Sequence, residues 1–204
     1  IIFANPNAPT GIALPLTGVE EILSSNPDSV VIVDEAYVDF GAATALPLLK
    51  KYENLVVVRT MSKSRALAGM RIGYAFASKR LIQAMEDVKA SINSYTMTTL
   101  SLAAGKAAIE DTAYFRETLA KIIKTREETR AALRRLGFTV TESRTNFLFA
   151  KKPGVSAQKL FEALRERGIY VRYFKKPRID EYLRITIGTD EEMAHLLEEL
   201  EHLC

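Results

Sequence analysis

Residues 55–74 read LVVVRTMSKSRALAGMRIGY, and the rest of the chain is best understood from this stretch outward. It begins as an apolar, β-branched run at residues 55–58, the composition of a strand, and turns polar through Thr60, Ser62, Lys63 and Ser64. Gly69 breaks the segment, and Arg71 opens a second apolar run at residues 72–77. An amine therefore sits among hydroxyls just past a buried strand, with a guanidinium a short way on. Such a set can present a reactive nitrogen and bind an anion at one place. A Ser-Lys pair after a strand is also what an ordinary solvated lysine looks like, so the reading needs support from the preceding strands.

Residues 29–33, SVVIV, form a continuous β-branched run, as expected of a strand covered on both faces, and lead into Asp34-Glu35-Ala36-Tyr37. Earlier, residues 1–3 are a short apolar run followed by the turn formers Asn5-Pro6-Asn7-Ala8-Pro9-Thr10-Gly11. Between these strands, Thr17 and Glu20 have the spacing of a capping box and predict a helix to about residue 25. Residues 45–52 predict a short second helix. Strand, helix, strand, helix, strand in this order points to a doubly wound α/β fold with a mainly parallel sheet. Ligands in such sheets bind beyond the carboxyl ends of the strands. Three successive strands deliver Asn5 and Asn7, then Asp34 and Tyr37, then Thr60, Ser62 and Lys63 to that edge. Each has a plainer alternative: an Asx turn for Asn7, a cap or turn for Asp34, core packing for Tyr37.

The remaining residues predict a second, smaller α+β domain. Residues 79–90 carry Leu81, Ile82, Met85 and Val88 at helical spacing. Residues 98–109 are Ala-rich and predict a buried helix. A long helix from Asp111 or Thr112 to about residue 136, closed by Gly137, has the length to bridge two domains. Strands follow at 138–142, 146–150, 169–174 and 182–187, with helices at 156–168 and 190–203, the last capped by Thr189 or Asp190. The expected domains are residues 1–111 and 112–204. Arg172 and Arg184 lie inside otherwise apolar strands, where an unpaired charge is costly and calls for an anion or a carboxylate. The alternative is a solvent-facing position, which periodicity favours for Arg172.

Composition narrows the function classes. The 204 residues are 48% hydrophobic and 26% charged, ordinary for a globular protein. The net charge of +3 arises from basic residues interspersed with glutamates, so no nucleic-acid partner is expected. Cys204 is the single cysteine, which excludes an intrachain disulfide and a multi-cysteine metal site. His195 and His202 lack carboxylates in a ligand pattern, and no metal is expected. No apolar run is long enough to span a bilayer, no signal peptide is read, and a cytoplasmic location is expected. The chain opens inside an apolar strand without a methionine, as expected of part of a longer protein.

The ordered set NPNAPTG (5–11), VDEAY (33–37), TMSKS (60–64), AGMRIGY (68–74) and LRITIG (183–188) resembles the fold-type I, pyridoxal-phosphate-dependent aminotransferases. More narrowly, it is similar to their histidinol-phosphate branch. The resemblance covers essentially the whole chain, from the middle of the family's large, cofactor-binding domain through residue 111 to an interdomain helix and small domain over 112–204. It implies transamination between L-histidinol phosphate and 2-oxoglutarate or glutamate, in histidine biosynthesis, by a homodimer. Lys63 matches the lysine that carries the cofactor and moves the proton at the substrate carbon. Asp34 matches the carboxylate paired with the pyridine nitrogen, and Tyr37 the phenol beside the ring oxygen. Thr60, Ser62 and Arg71 match the phosphate cradle, and Arg184 and Arg172 match arginines that receive the substrate's acidic groups. Two positions depart: Ala8 stands where most relatives have the asparagine that touches the ring oxygen, leaving Asn7 to take over that contact, and Arg65 stands where many have an apolar or aromatic residue. The family's glycine-rich phosphate loop, ring-stacking aromatic and N-terminal tyrosines are expected upstream of Ile1, and a chain lacking them is expected to bind the cofactor poorly. Other enzymes of this fold (an aromatic aminotransferase, a decarboxylase, a carbon–sulfur lyase) and an inactive, aminotransferase-like regulatory module remain alternatives.

Overall fold

A computed structural model describes residues 1–204. Its contacts divide the chain into two units: residues 1–7 with 13–117, and residues 8–12 with 118–204. The sequence-based boundary lay before residue 112, and it did not anticipate that residues 8–12 would group with the second unit.

The first unit is built on a four-stranded sheet of β1 (Ile2–Ala4), β2 (Val31–Asp34), β3 (Leu55–Thr60) and β4 (Gly73–Ala77), in that order. The first three strands are parallel and β4 is antiparallel to β3. Strand alternation sends Val31 and Val33, level with Leu55 and Val57, into one core. Val19 and Leu23 of α1 (Leu16–Ser24) and Ala45 and Leu48 from the next connection complete it.

Three local expectations need correction here. The capping box at Thr17 does not form, because the helix starts at Leu16 with Pro15 as its N-cap and no side-chain cap bond. Proline's fixed φ sets the entry, and its carbonyl accepts the Gly18 and Val19 N–H groups. Residues 45–52 hold a 3₁₀ turn, Leu46–Lys50, instead of an α-helix. The Ala-rich helix α3 (Thr99–Glu110) is largely exposed: its buried residues are Ser101 and Gly105, while Leu100 is 68% exposed. Composition reports that a helix can be buried, whereas the neighbour it meets decides which stripe is. The preceding helix α2 (Lys79–Ile92) buries no residue.

In the second unit, α4 (Thr112–Arg135), which enters it after Glu117, is followed by an antiparallel sheet of β5 (Thr139–Val140), β6 (Phe147–Lys151), β7 (Arg172–Tyr173) and β8 (Leu183–Thr186). The sheet order is β5-β6-β8-β7. β5, β7 and β8 are shorter than the apolar runs that predict them, while β6 is displaced by one residue from its predicted span. Helices α5 (Ala157–Glu166) and α6 (Asp190–Leu203) supply Leu160, Leu164, Met193, Leu196 and Leu200 to a core with Leu148, Leu183 and Ile185. The expected cap at Thr189 forms a full capping box with Glu192. Arg126 of α4 is only 1% exposed and donates to the Thr145 carbonyl at 2.8 Å and to Glu127 at 3.0 Å. Burial pulls its pKa below the usual guanidinium value, and the Glu127 carboxylate works against that pull.

Candidate active site

Register fixes the site. Ala4, Asp34 and Val58 are level across the three parallel strands. The chain therefore leaves β1 at Asn5 and β2 at Glu35 side by side, while β3 runs on to Thr60. Two backbone bonds tie these ends together, from the Asn5 N–H to the Asp34 carbonyl at 2.9 Å and from the Glu35 N–H to the Val58 carbonyl at 2.8 Å. Parallel pairing thus gathers residues from distant parts of the sequence at one carboxyl edge.

Asp34 ends β2, half-buried, and its Oδ1 accepts the Ala36 N–H at 3.0 Å. This is the turn-forming role read as the plain alternative, yet it engages only one of the two carboxylate oxygens. The same turn carries Tyr37, whose ring centroid lies 5.5 Å from Lys63 Nζ. The Lys63 side chain is exposed and makes no hydrogen bond or ion pair. Thr60 Oγ1 accepts the Ser62 N–H at 3.1 Å and can donate to Ser62 Oγ at 2.9 Å, which leaves the Ser62 hydroxyl proton for another acceptor. Arg71 sits in the left-handed region at φ 56 and donates to the Ala68 carbonyl of its own turn at 3.1 Å. The remaining guanidinium donors have no protein partner.

Asn7 is exposed and is the last residue of the first unit before the chain passes to residues 8–12. Its neighbour Asn5 is 3% exposed and brackets the loop with two bonds to Leu14, accepting from its N–H at 2.7 Å and donating to its carbonyl at 3.1 Å. Within the second unit, Thr141 Oγ1 donates to the Thr10 carbonyl at 2.6 Å and the Arg144 N–H donates to the Gly11 carbonyl at 2.8 Å. Gly11 has φ +76, and a Cβ there would come within 2.7 Å of Ser143 Oγ, so the position requires glycine. Arg65 donates to the Ala108 carbonyl near the end of α3 and lies 3.5 Å over the Phe115 ring. The departure at this position thus braces two helices beside the lysine loop.

The two arginines of the second unit are paired. Arg172 and Arg184 are direct cross-strand partners, so their side chains leave the sheet on one face. Arg184 lies over the Phe147 and Phe174 rings at 5.0 Å and 5.8 Å, and its Nε is buried without a hydrogen-bond partner. Arg172 is exposed, 5.5 Å from the Phe174 ring, with no carboxylate partner. Two like charges directly opposite each other repel, and an anion between them would remove that cost.

Sequence reasoning missed Glu35, Asp39 and Arg59. Glu35 is 2% exposed, and its Oε2 accepts from Arg59 Nε at 3.0 Å and Nη2 at 2.9 Å. The signal was available, since Arg59 is also an arginine inside an apolar strand and needs a carboxylate.

Comparison with known proteins shows the family and the fold. The family model described as aminotransferase class I and II matches residues 1–200. A histidinol-phosphate aminotransferase of Acinetobacter baylyi is 54% identical over 200 residues, covering 98% of this chain and 55% of the relative. Among solved structures, the histidinol-phosphate aminotransferase of Clostridium acetobutylicum superposes with a TM-score of 0.91 at 26% identity, covering 99% of this chain and 63% of that one. That of Sinorhizobium meliloti, in complex with pyridoxal-5'-phosphate, gives 0.87 at 28% identity, covering 100% and 57%. The chain thus spans little more than half the length of the proteins it matches.

Proposed function

The chain belongs to the class I and II aminotransferases, and from that premise we propose that the protein containing it transfers an amino group between L-histidinol phosphate and 2-oxoglutarate or glutamate, using pyridoxal 5'-phosphate, in histidine biosynthesis. The observation that carries the reading is the Lys63 amine, free of hydrogen bonds and 5.5 Å from the ring of Tyr37, on the turn whose Asp34 carboxylate has one oxygen engaged, in a chain 54% identical to a histidinol-phosphate aminotransferase.

The cofactor fits the polar atoms left open in the first unit. A pyridine nitrogen is matched by the second oxygen of Asp34, an aldehyde by the Lys63 amine, and a phosphate dianion by the Ser62 hydroxyl and the Arg71 guanidinium. Thr60 orients Ser62, and Asn7 and Tyr37 would hold the ring oxygen of the bound cofactor. When bound, the cofactor supplies an electron-withdrawing ring that disperses the charge left at the substrate carbon. Lys63 has no hydrogen bond to break before its nitrogen can take and return the proton there. Arg184 and Arg172 hold the anionic group of the substrate, and the phosphate of histidinol phosphate suits two adjacent guanidiniums better than a single carboxylate does. The acting form is a homodimer located in the cytoplasm.

Removing the amine tests this reading. In the intact protein, borohydride should fix one phosphopyridoxyl group on Lys63, detected by mass. Lys63→Ala should abolish that label and lower glutamate-dependent amino transfer by roughly 10²- to 10⁴-fold or more. Unchanged transfer in Lys63→Ala would refute the role of the lysine. A cofactor-binding protein without any glutamate-dependent half-reaction would point instead to a lyase or decarboxylase.

A further inference from the structure

Behind the candidate cofactor residues runs a second line of side chains with a geometry of its own. Glu35 has no exposed side-chain surface, and its two oxygens accept from Arg59, from Thr44 Oγ1 at 2.8 Å and from the Ala45 N–H. Arg59 reaches onward from Nη1 to Asp39 Oδ1 at 3.9 Å. The other oxygen of Asp39 accepts the hydroxyl of Ser64, a residue 9% exposed. Ser64, Asp39, Arg59 and Glu35 thus form one continuous chain of contacts. Three of its members adjoin a proposed cofactor residue in sequence: Glu35 follows Asp34, Arg59 precedes Thr60, and Ser64 follows Lys63. Asp39 lies two positions past Tyr37. Neighbouring residues of a strand point to opposite faces, so Arg59 lies on the face of β3 opposite Thr60.

We propose that this Glu35–Arg59–Asp39–Ser64 line is a positioning device that fixes the spacing between the turn bearing Asp34 and Tyr37 and the loop bearing Lys63. It rests on the cofactor reading above. None of the four touches the reacting atoms. A pyridine ring must meet Asp34 and Lys63 together, so an error in their separation costs affinity even when both side chains are intact. Glu35 and Arg59 are also core anchors, with Glu35 holding the Thr44–Ala45 segment. The hydroxyl of Ser64 on Asp39 is the line's link to the lysine loop. It sits at the partly exposed end, where removing it leaves the buried Glu35–Arg59 pair untouched.

The test uses Ser64→Ala, Asp39→Ala and Asp39→Asn in the intact protein. Dissociation constants are measured for pyridoxal phosphate and for inorganic phosphate, together with the absorbance maximum of the bound cofactor. Ser64→Ala and Asp39→Ala should each weaken pyridoxal phosphate roughly tenfold and shift its absorbance maximum, because a hydrogen bond to a charged group is lost. Inorganic phosphate, which needs only the Ser62 and Arg71 cradle, should bind as before. Asp39→Asn, which keeps an oxygen for the Ser64 hydroxyl, should recover most of the loss. Equal weakening of both ligands, or no weakening of either, would overturn the proposal while leaving the cofactor reading intact. Failure of the unsubstituted protein to bind pyridoxal phosphate would overturn both.

Discussion

Arg184 carries an unusual combination for one side chain. Its Nε is buried with no hydrogen-bond partner, and its cross-strand neighbour is another arginine. Both features oppose stability, since a buried unsatisfied donor costs about 1–3 kcal/mol and facing like charges repel. Stacking on Phe147 and Phe174 returns part of this. Arg184→Met should therefore keep or raise the urea midpoint, by up to about 1 kcal/mol in stability, while raising the KM for a phosphorylated amine roughly 10- to 100-fold. A clear loss of stability with KM unchanged would make Arg184 a structural residue. An arginine in an apolar strand is legible in the sequence as an unmet electrostatic need. Its pairing with Arg172 is not, because register depends on how the two strands align.

At the scale of elements, the lysine loop is held by the helix it packs against. Gly105 of α3 lies so close that a Cβ there would be 2.9 Å from Ile72 Cδ1 and 3.5 Å from Met61 Sδ. Met61 and Ile72 bracket the loop carrying Ser62, Lys63 and Arg71, and the Met61 N–H donates to the Ile72 carbonyl at 3.1 Å. The glycine therefore allows close approach of helix to loop. An alanine's methyl could be met by a turn of the flexible Ile72 end, but a larger side chain could not. Gly105→Leu should destabilise by roughly 1–3 kcal/mol through overpacking and weaken cofactor binding along with it. Full-strength binding in this variant would mean the loop holds its shape without α3. The sequence makes α3 visible as an Ala-rich helix but gives the wrong burial, since an apolar composition cannot say which stripe meets the lysine loop. The capping box at Thr17 fails for a related reason: a local pattern competes with a proline two residues earlier that already sets the helix entry.

For the whole molecule, the two units have separate cores, one around Val33 and Leu55 and one around Leu148 and Leu183. Large apolar side chains also remain exposed on the first unit, among them Val88, Ile92 and Tyr95 at 59%, 81% and 93%, and Leu100 at 68%. Val88 and Ile92 of α2, Leu100 of α3 and Tyr95 between these helices are the residues that the partner in the proposed homodimer would cover. The intact protein should sediment at twice its chain mass at micromolar concentration, and Ile92→Glu together with Leu100→Glu should shift it toward monomer. A monomeric unsubstituted protein would refute the dimer. No helix is long and apolar enough to cross a membrane.

The sequence by itself determined the kinds of element, their order, and the chemistry available at each strand end: an amide, a carboxylate and phenol, then hydroxyls and an amine. These follow from local patterning, because hydrophobic period and turn composition act over a few residues. Tertiary structure alone decided what those groups meet. It made strand ends far apart in the chain level with one another, joined Arg172 to Arg184, and strung Glu35, Arg59, Asp39 and Ser64 into one line. Side-chain partners across strands and loops depend on register and packing, which are properties of the folded chain as a whole and leave no trace in any short window of sequence.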